Sequence, residues 1–163
     1  MFTTRIPEKF MKADGKPWRK EKEDGDGNPI NVLGQDGKPI VLATTPKGEP
    51  VYKHEVEDAD YLDILKLFLN NLFNLVAAKA KENKELKLLT MEDSSFALDC
   101  FRAMNVARGS LELEKAPHEW LKDKLSRFGA DVFGVNAAII FEPLKTADEI
   151  TPTRAETRRN IKG

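Results

Sequence analysis

Within the stretch DGDGNPINVLGQ, Asp24, Asp26 and Asn28 stand at alternate positions. That is the spacing with which a calcium loop presents its first three oxygen ligands. The sixth position, where such a loop needs glycine, is Pro29, and the twelfth, where it needs a bidentate glutamate, is Gln35. No helical pattern flanks the stretch, so a solvated turn explains it better and no metal site is assigned. His54 lies among Glu55, Glu57 and Asp58, donors that could in principle ligate a metal. Acidic residues ahead of a helix are also what the helix dipole favours, and that is the simpler account. His118 sits between Pro117 and Glu119, where a first helical turn would leave it exposed. Cys100 falls on an apolar helical stripe, the setting of a buried, inert thiol. The chain shows no Ser/His/Asp order, no phosphate-cradling glycine loop and no HExxH pair. It reads as non-catalytic, with no cofactor.

Two basic stretches raise nucleic acid as a partner. Trp18 stands among Lys16, Arg19 and Lys20, an aromatic ring that could stack on a base while the cations meet phosphate. Glu21, Glu23, Asp24 and Asp26 follow at once and cancel much of that field. An anchoring tryptophan in a charged segment is the plainer reading. Arg154, Arg158 and Arg159 make the C-terminal end the better electrostatic candidate, weakened by Glu156 and by a whole-chain net charge of −1.

The elements that must carry these residues divide the chain unevenly. DGKPW, DGNPI, DGKPI and KGEPV place Gly15, Gly27, Gly37 and Gly48 at near-regular intervals, each followed two residues on by proline. The spacing is shorter than any solenoid unit and the intervening residues do not repeat, so turn chemistry accounts for the similarity. Glycine supplies the positive φ of a tight turn, and proline confines its residue to a strand start or an edge. Stretches such as INVL, IVLAT and VYKHEV are each long enough for one short strand. Apolar content before residue 57 is too thin for an independent core. Residues 1–56 are therefore expected to form an extended arm or small β-meander that leans on a partner, with Ile30, Ile40, Val51 and Tyr52 as its candidate contacts beside Trp18 and Arg19.

Residues 57–147 carry helical periodicity. A first helix is expected from Asp58 or Asp60 to about Asn83, with apolar positions nearly all round, as a central helix or one also packing on another chain would have. A second starts at Thr90 with Asp93 in a capping-box position, and Gly109 follows it. LELE, from Leu111, alternates as a bridge or short strand would. A third helix opens near Pro117, presents Trp120, Leu121, Leu125 and Phe128, and is expected to close at Gly129. A fourth runs from about Gly134 with Val135, Ala138, Ile139 and Phe141 inward, until Pro143 disturbs it. The expected fold is mostly α, a compact bundle of about four helices over residues 58–147 with an N-terminal turn-rich arm. Residues 148–163 form a tail with room for a short basic helix.

One cysteine fits a reducing compartment, hence the cytoplasm or a virion. The N-terminus lacks a secretory h-region, and the longest apolar run carries Asp63, Lys66 and three asparagines, as a membrane span would not. The turn-rich DGxPI segment, followed by LKLFLNNL and by LELEKAPHEWLKDKLSRFG, resembles small uncharacterised proteins encoded by tailed bacteriophages and prophages. That resemblance carries no catalytic residues and implies a virion, morphogenesis or host-interaction role. The leading expectation is a structural or assembly protein whose arm contacts neighbouring subunits. The alternative is a small regulatory or inhibitory protein that binds a host protein, or weakly a nucleic acid, through the basic tail.

Overall fold

The computed structural model describes residues 1–150, of which 46% are helical and 21% are strand. Among the described residues, seven strands lie in three small sheets beside three long helices and a short fourth, so they form not a four-helix bundle but a mixed α and β fold. The strands are β1 (Phe2–Arg5), β2 (Arg19–Glu21), β3 (Val41–Thr44), β4 (Pro50–Tyr52), β5 (Val56–Asp58), β6 (Ser110–Leu113) and β7 (Asp148–Glu149). The helices are α1 (Tyr61–Glu82), α2 (Met91–Val106), α3 (Lys115–Phe133) and α4 (Ala137–Lys145).

The starts of α1 and α2 follow from short acidic and hydroxyl side chains that satisfy the free N–H groups of a first turn. At α1 the Asp63 N–H donates to Asp60 Oδ1 at 2.8 Å, and the Asp60 N–H donates back to Asp63 Oδ2 at 3.0 Å. Thr90 and Asp93 form the same reciprocal box at α2. Helix α1 buries Tyr61, Ile64, Leu65, Phe68, Leu69, Leu72 and Val76, while α3 is the helix that packs most extensively on α2 and α4. The buried Tyr61 hydroxyl donates to the Ile140 carbonyl at 2.8 Å and so ties α1 to α4.

Helix α3 does not close at Gly129. It runs on to Phe133, and Gly134, at φ +57°, ends it. Gly129 serves packing instead: a Cβ there would stand 3.2 Å from Leu125 Cδ1 and 3.4 Å from the Ala137 Cβ, where α4 crosses. The inward stripe of α4 also differs from expectation. Ile140 and Leu144 are buried, while Val135 is 79% exposed, because a 3₁₀ turn over Gly134–Asn136 rotates the helix before it starts.

The β content within the body arises from pairings far apart in sequence. Strand β1 lies between β6 and β7, antiparallel to both, with Phe2 opposite Leu113 and also Glu149. The first residues of the chain thus lie with the helices, covering the first turn of α3.

Residues 19–58 form the arm, and a hairpin of the same kind between Met11 and Pro17 precedes it. At Lys12, Asp24, Gly34 and Thr45 the backbone N–H donates to the carbonyl four residues on, at 2.8–2.9 Å. Three residues after each start, Gly15, Gly27, Gly37 and Gly48 donate back to the starting carbonyl, at φ +75 to +83°. This is the three-residue hairpin loop, a turn closed by a left-handed glycine. The proline after each turn pairs with the residue just ahead of it: Met11 with Pro17, Glu23 with Pro29, Leu33 with Pro39, Thr44 with Pro50. Four similar sequence fragments therefore build four hairpins of one geometry.

The segment from Pro50 to Asp58 returns along the arm as its spine. It pairs with β3 at the tip, bridges from His54 to Asn31 midway, and pairs with β2 at the base. Two closed three-way rings hold the middle. Lys22 donates to the Glu55 carbonyl, Glu55 to Ile30 and Ile30 to Lys22, at 2.7–3.0 Å. One step outward, Val32 donates to Lys53, Lys53 to Ile40 and Ile40 to Val32, at 2.8–3.0 Å. The arm is thus held mainly by backbone hydrogen bonds. Gly48→Ala forces a Cβ into the left-handed region and weakens the tip hairpin by about 1–2 kcal/mol. Amide exchange at Thr45 and Gly48 will accelerate accordingly, while the melting of the helical body stays unchanged.

Candidate interaction surface

Between Glu21 and Asp58 no residue is buried. Ile30, Val32, Ile40 and Tyr52 reach only partial burial, and Leu33, Val41, Leu42, Val51 and Val56 lie 41–65% exposed. Strands β2 to β5 pair with one another, whereas extended packing on the helices belongs to β1 and β6. A segment held by its backbone and bearing aliphatic side chains outward is suited to contact another surface.

The base of the arm is anchored by groups that sequence left ambiguous. Trp18 is buried, stacked on Phe10 at 5.4 Å and edge-on to Phe133 at 5.6 Å, with the Lys12 ammonium 5.9 Å from its ring. Its Nε1–H has no acceptor among the described residues, so ring contacts alone hold it. Such a ring belongs to the core and offers no free face to a base or a partner. Beside it the Ala59 N–H donates to the Trp18 carbonyl at 2.8 Å, closing the point where the arm leaves and re-enters the body.

Arg19 pairs with Asp58 at 2.9 Å across β2 and β5, and Lys20 reaches from β2 to Asp63 on α1 at 2.9 Å. Hydrogen bonding to Asp63 holds the Lys20 ammonium above its ordinary pKa, against partial burial. Burial would raise the Asp63 carboxyl, but Lys20 and the Asp60 N–H outweigh it and hold it below the ordinary range. These groups line a cleft of about 550 Å³ between the arm and α1, mixed in charge and floored by Ile64 and Leu67. Within it, Lys20 is paired with both Asp63 and Glu57.

Of the residues singled out from sequence, Ile30, Ile40, Val51 and Tyr52 fall together on the arm, the first two in or beside the inner rings and the latter two in β4. Trp18 is withdrawn into the body and Arg19 is engaged in an ion pair. Arg154, Arg158 and Arg159 lie outside the described residues. Sequence reasoning passed over Leu33, Val41, Leu42 and Val56, the most exposed aliphatic residues of the arm. Their signal was the presence of apolar side chains in a segment already judged unable to bury them.

Asp24 Oδ1 accepts the N–H groups of Asp26 and Asn28 at 2.9 and 3.0 Å, so the near-calcium motif closes its own turn. His54 Nδ1 pairs with Glu21 Oε1 at 2.9 Å across the arm. Burial, with Asp99 adding to it, pushes the Cys100 thiol up to about 12. His118 is 1% exposed, not solvated as expected, because Phe2 of β1 stacks on it at 4.3 Å and covers the start of α3. Burial holds its imidazole below the ordinary pKa despite Glu119 beside it. Among the described residues no group of three or more His, Cys, Asp or Glu side chains is placed to hold a metal ion, and no helix is long and apolar enough to cross a membrane. The chain matches no protein-family model, no curated protein and no solved structure.

Proposed function

We propose that this chain is a non-catalytic structural or assembly protein, a component of a bacteriophage virion or of its morphogenesis, that uses its hairpin arm to contact neighbouring subunits. One observation carries the reading: from Glu21 to Asp58 the chain builds an ordered, hydrogen-bonded arm without a single buried residue. Such a segment gains stability chiefly when a second surface covers its aliphatic side chains. The helical body supplies what the arm lacks, a contiguous apolar core from Trp18 to Leu144. The viral setting rests on the resemblance of the turn-rich segment and the helical motifs described above.

Limited proteolysis tests the reading. In the purified chain, Lys22, Lys47 and Lys53 are exposed and trypsin should cut the arm well before the body. In the native assembly these sites should be protected. Equal cleavage of the arm in both states would remove the proposed role.

A further inference from the structure

We propose that strand β3 pairs edge to edge with β3 of a second copy of this chain, making a four-stranded sheet around a twofold axis; this deepens the assembly reading and rests on it. Strand β3 hydrogen-bonds only to β4, and its other edge has no partner strand among the described residues. All four of its residues are exposed, with Val41 at 51% and Leu42 at 65%. A two-stranded sheet is marginal in water, and an open apolar edge is a template for another strand.

Charge singles out the second copy as the occupant. From Ile40 to Thr45 the sequence IVLATT contains no charged residue, no glycine and no proline. An antiparallel strand facing its own copy sets each residue type against itself or a near neighbour, so like charges would oppose and repel. Strand β5, with Glu57 and Asp58, would meet that repulsion, and strand β2 would meet it at Lys20, set against its own copy when Arg19 faces Glu21. Strand β4 is uncharged, but Pro50 removes one ladder donor. Strand β3 alone among these four is compatible with itself. Its one guard is a bulge between Val41 and Ala43, which adds twist without charge. Pairing would complete the free backbone edge and cover Val41 and Leu42 with their counterparts.

Light scattering across concentration, up to the solubility limit, tests this on the full chain. The wild type should pass from monomer to dimer. Leu42→Lys puts like charges opposite each other across the axis and should weaken the dimer roughly 100-fold. Val56→Lys, at the base of the arm, should leave it unchanged. Both positions are exposed, and unaltered thermal melting will show that the variants fold. Oxidised Leu42→Cys should yield a disulfide-linked dimer, since buried Cys100 does not compete. A wild type that stays monomeric throughout overturns the self-pairing. So does a dimer that Leu42→Lys leaves intact while Val56→Lys or Leu33→Lys breaks it, a result under which the arm would still be a contact surface. A dimer indifferent to all three overturns the self-pairing and counts against the arm as the contact between copies.

Discussion

Trp18→Ala lowers the stability of the body by about 3 kcal/mol, within the usual cost of removing a buried aromatic ring, and lowers its melting temperature by roughly 10 °C. The ring is only 7% exposed and sits between Phe10 and Phe133, so its loss opens a cavity that those two side chains cannot close. The consequence reaches further than stability. Trp18 contributes the carbonyl that receives the Ala59 N–H, and the arm runs between these two residues. Without the ring, the base of the arm loses its fixed point and its Lys20–Asp63 ion pair with α1. Tryptic cleavage at Lys12 and Lys20 will rise in Trp18→Ala more than the global loss of stability accounts for. Trp18→Phe restores part of the contact and falls between. A variant that melts like the wild type would mean that the ring is dispensable to the body.

Asp93→Ala is expected to be comparably costly, also about 3 kcal/mol, although it removes one small side chain. Asp93 Oδ2 accepts the Thr90 N–H at 2.7 Å and the Thr90 hydroxyl at 3.1 Å, closing the start of α2. Its other oxygen accepts the Trp120 Nε1–H at 2.8 Å, joining α2 to α3. The ammonium of the buried Lys124 lies 3.9 Å away. Alanine leaves the Trp120 indole donor without its acceptor and takes a nearby counter-charge from Lys124, whose ammonium keeps its bond to Asp123 at 3.2 Å; together these cost more than the capping bond alone. Burial by itself would raise the Asp93 carboxyl, but the donors from Thr90 and Trp120, with Lys124, outweigh it and hold it below its ordinary value of 3.8. The sign follows directly: the native state favours the ionised form, so this contribution is complete above about pH 4 and is lost as the pH falls through the lowered native value. Asp93→Asn should therefore melt lower than wild type at neutral pH, with the gap narrowing in acid. A constant gap from neutral to acid pH would show that the charge is not what matters.

What the sequence made legible was local. Asp60, Thr90 and Asp93 announce helix starts because capping acts over three residues, and Gly15, Gly27, Gly37 and Gly48 announce turns because φ is a property of one residue. Asn83 stops α1 where expected for the same reason. The failures are all of longer range. Nothing in FTTR indicates that it will lie between Ser110–Leu113 and Asp148–Glu149, so neither the central strand of that sheet nor the burial of His118 could be read. Gly129 carries the signature of a helix end, yet the close crossing of Ala137 makes it a packing residue. The phase of α4 was misread because a single 3₁₀ turn shifts every later position around the axis. Trp18 shows the same division at the candidate site. Its charged neighbours allowed a surface contact beside the plainer reading of an anchor, and Phe10 and Phe133, one before it and one far beyond, decide for the anchor.

The contact between the Trp18 carbonyl and the Ala59 amide has an evolutionary corollary. The chain departs from the body and comes back at one point, so everything between is a graft on a closed foundation. Lengthening such an excursion adds closure entropy only logarithmically, and each added turn unit brings its own hairpin bonds. Adding or deleting one glycine–proline hairpin would alter the reach of the tip while leaving the body's core intact. Relatives of this chain can therefore differ in the number of such units yet share one body, much as rulers of different length share a handle.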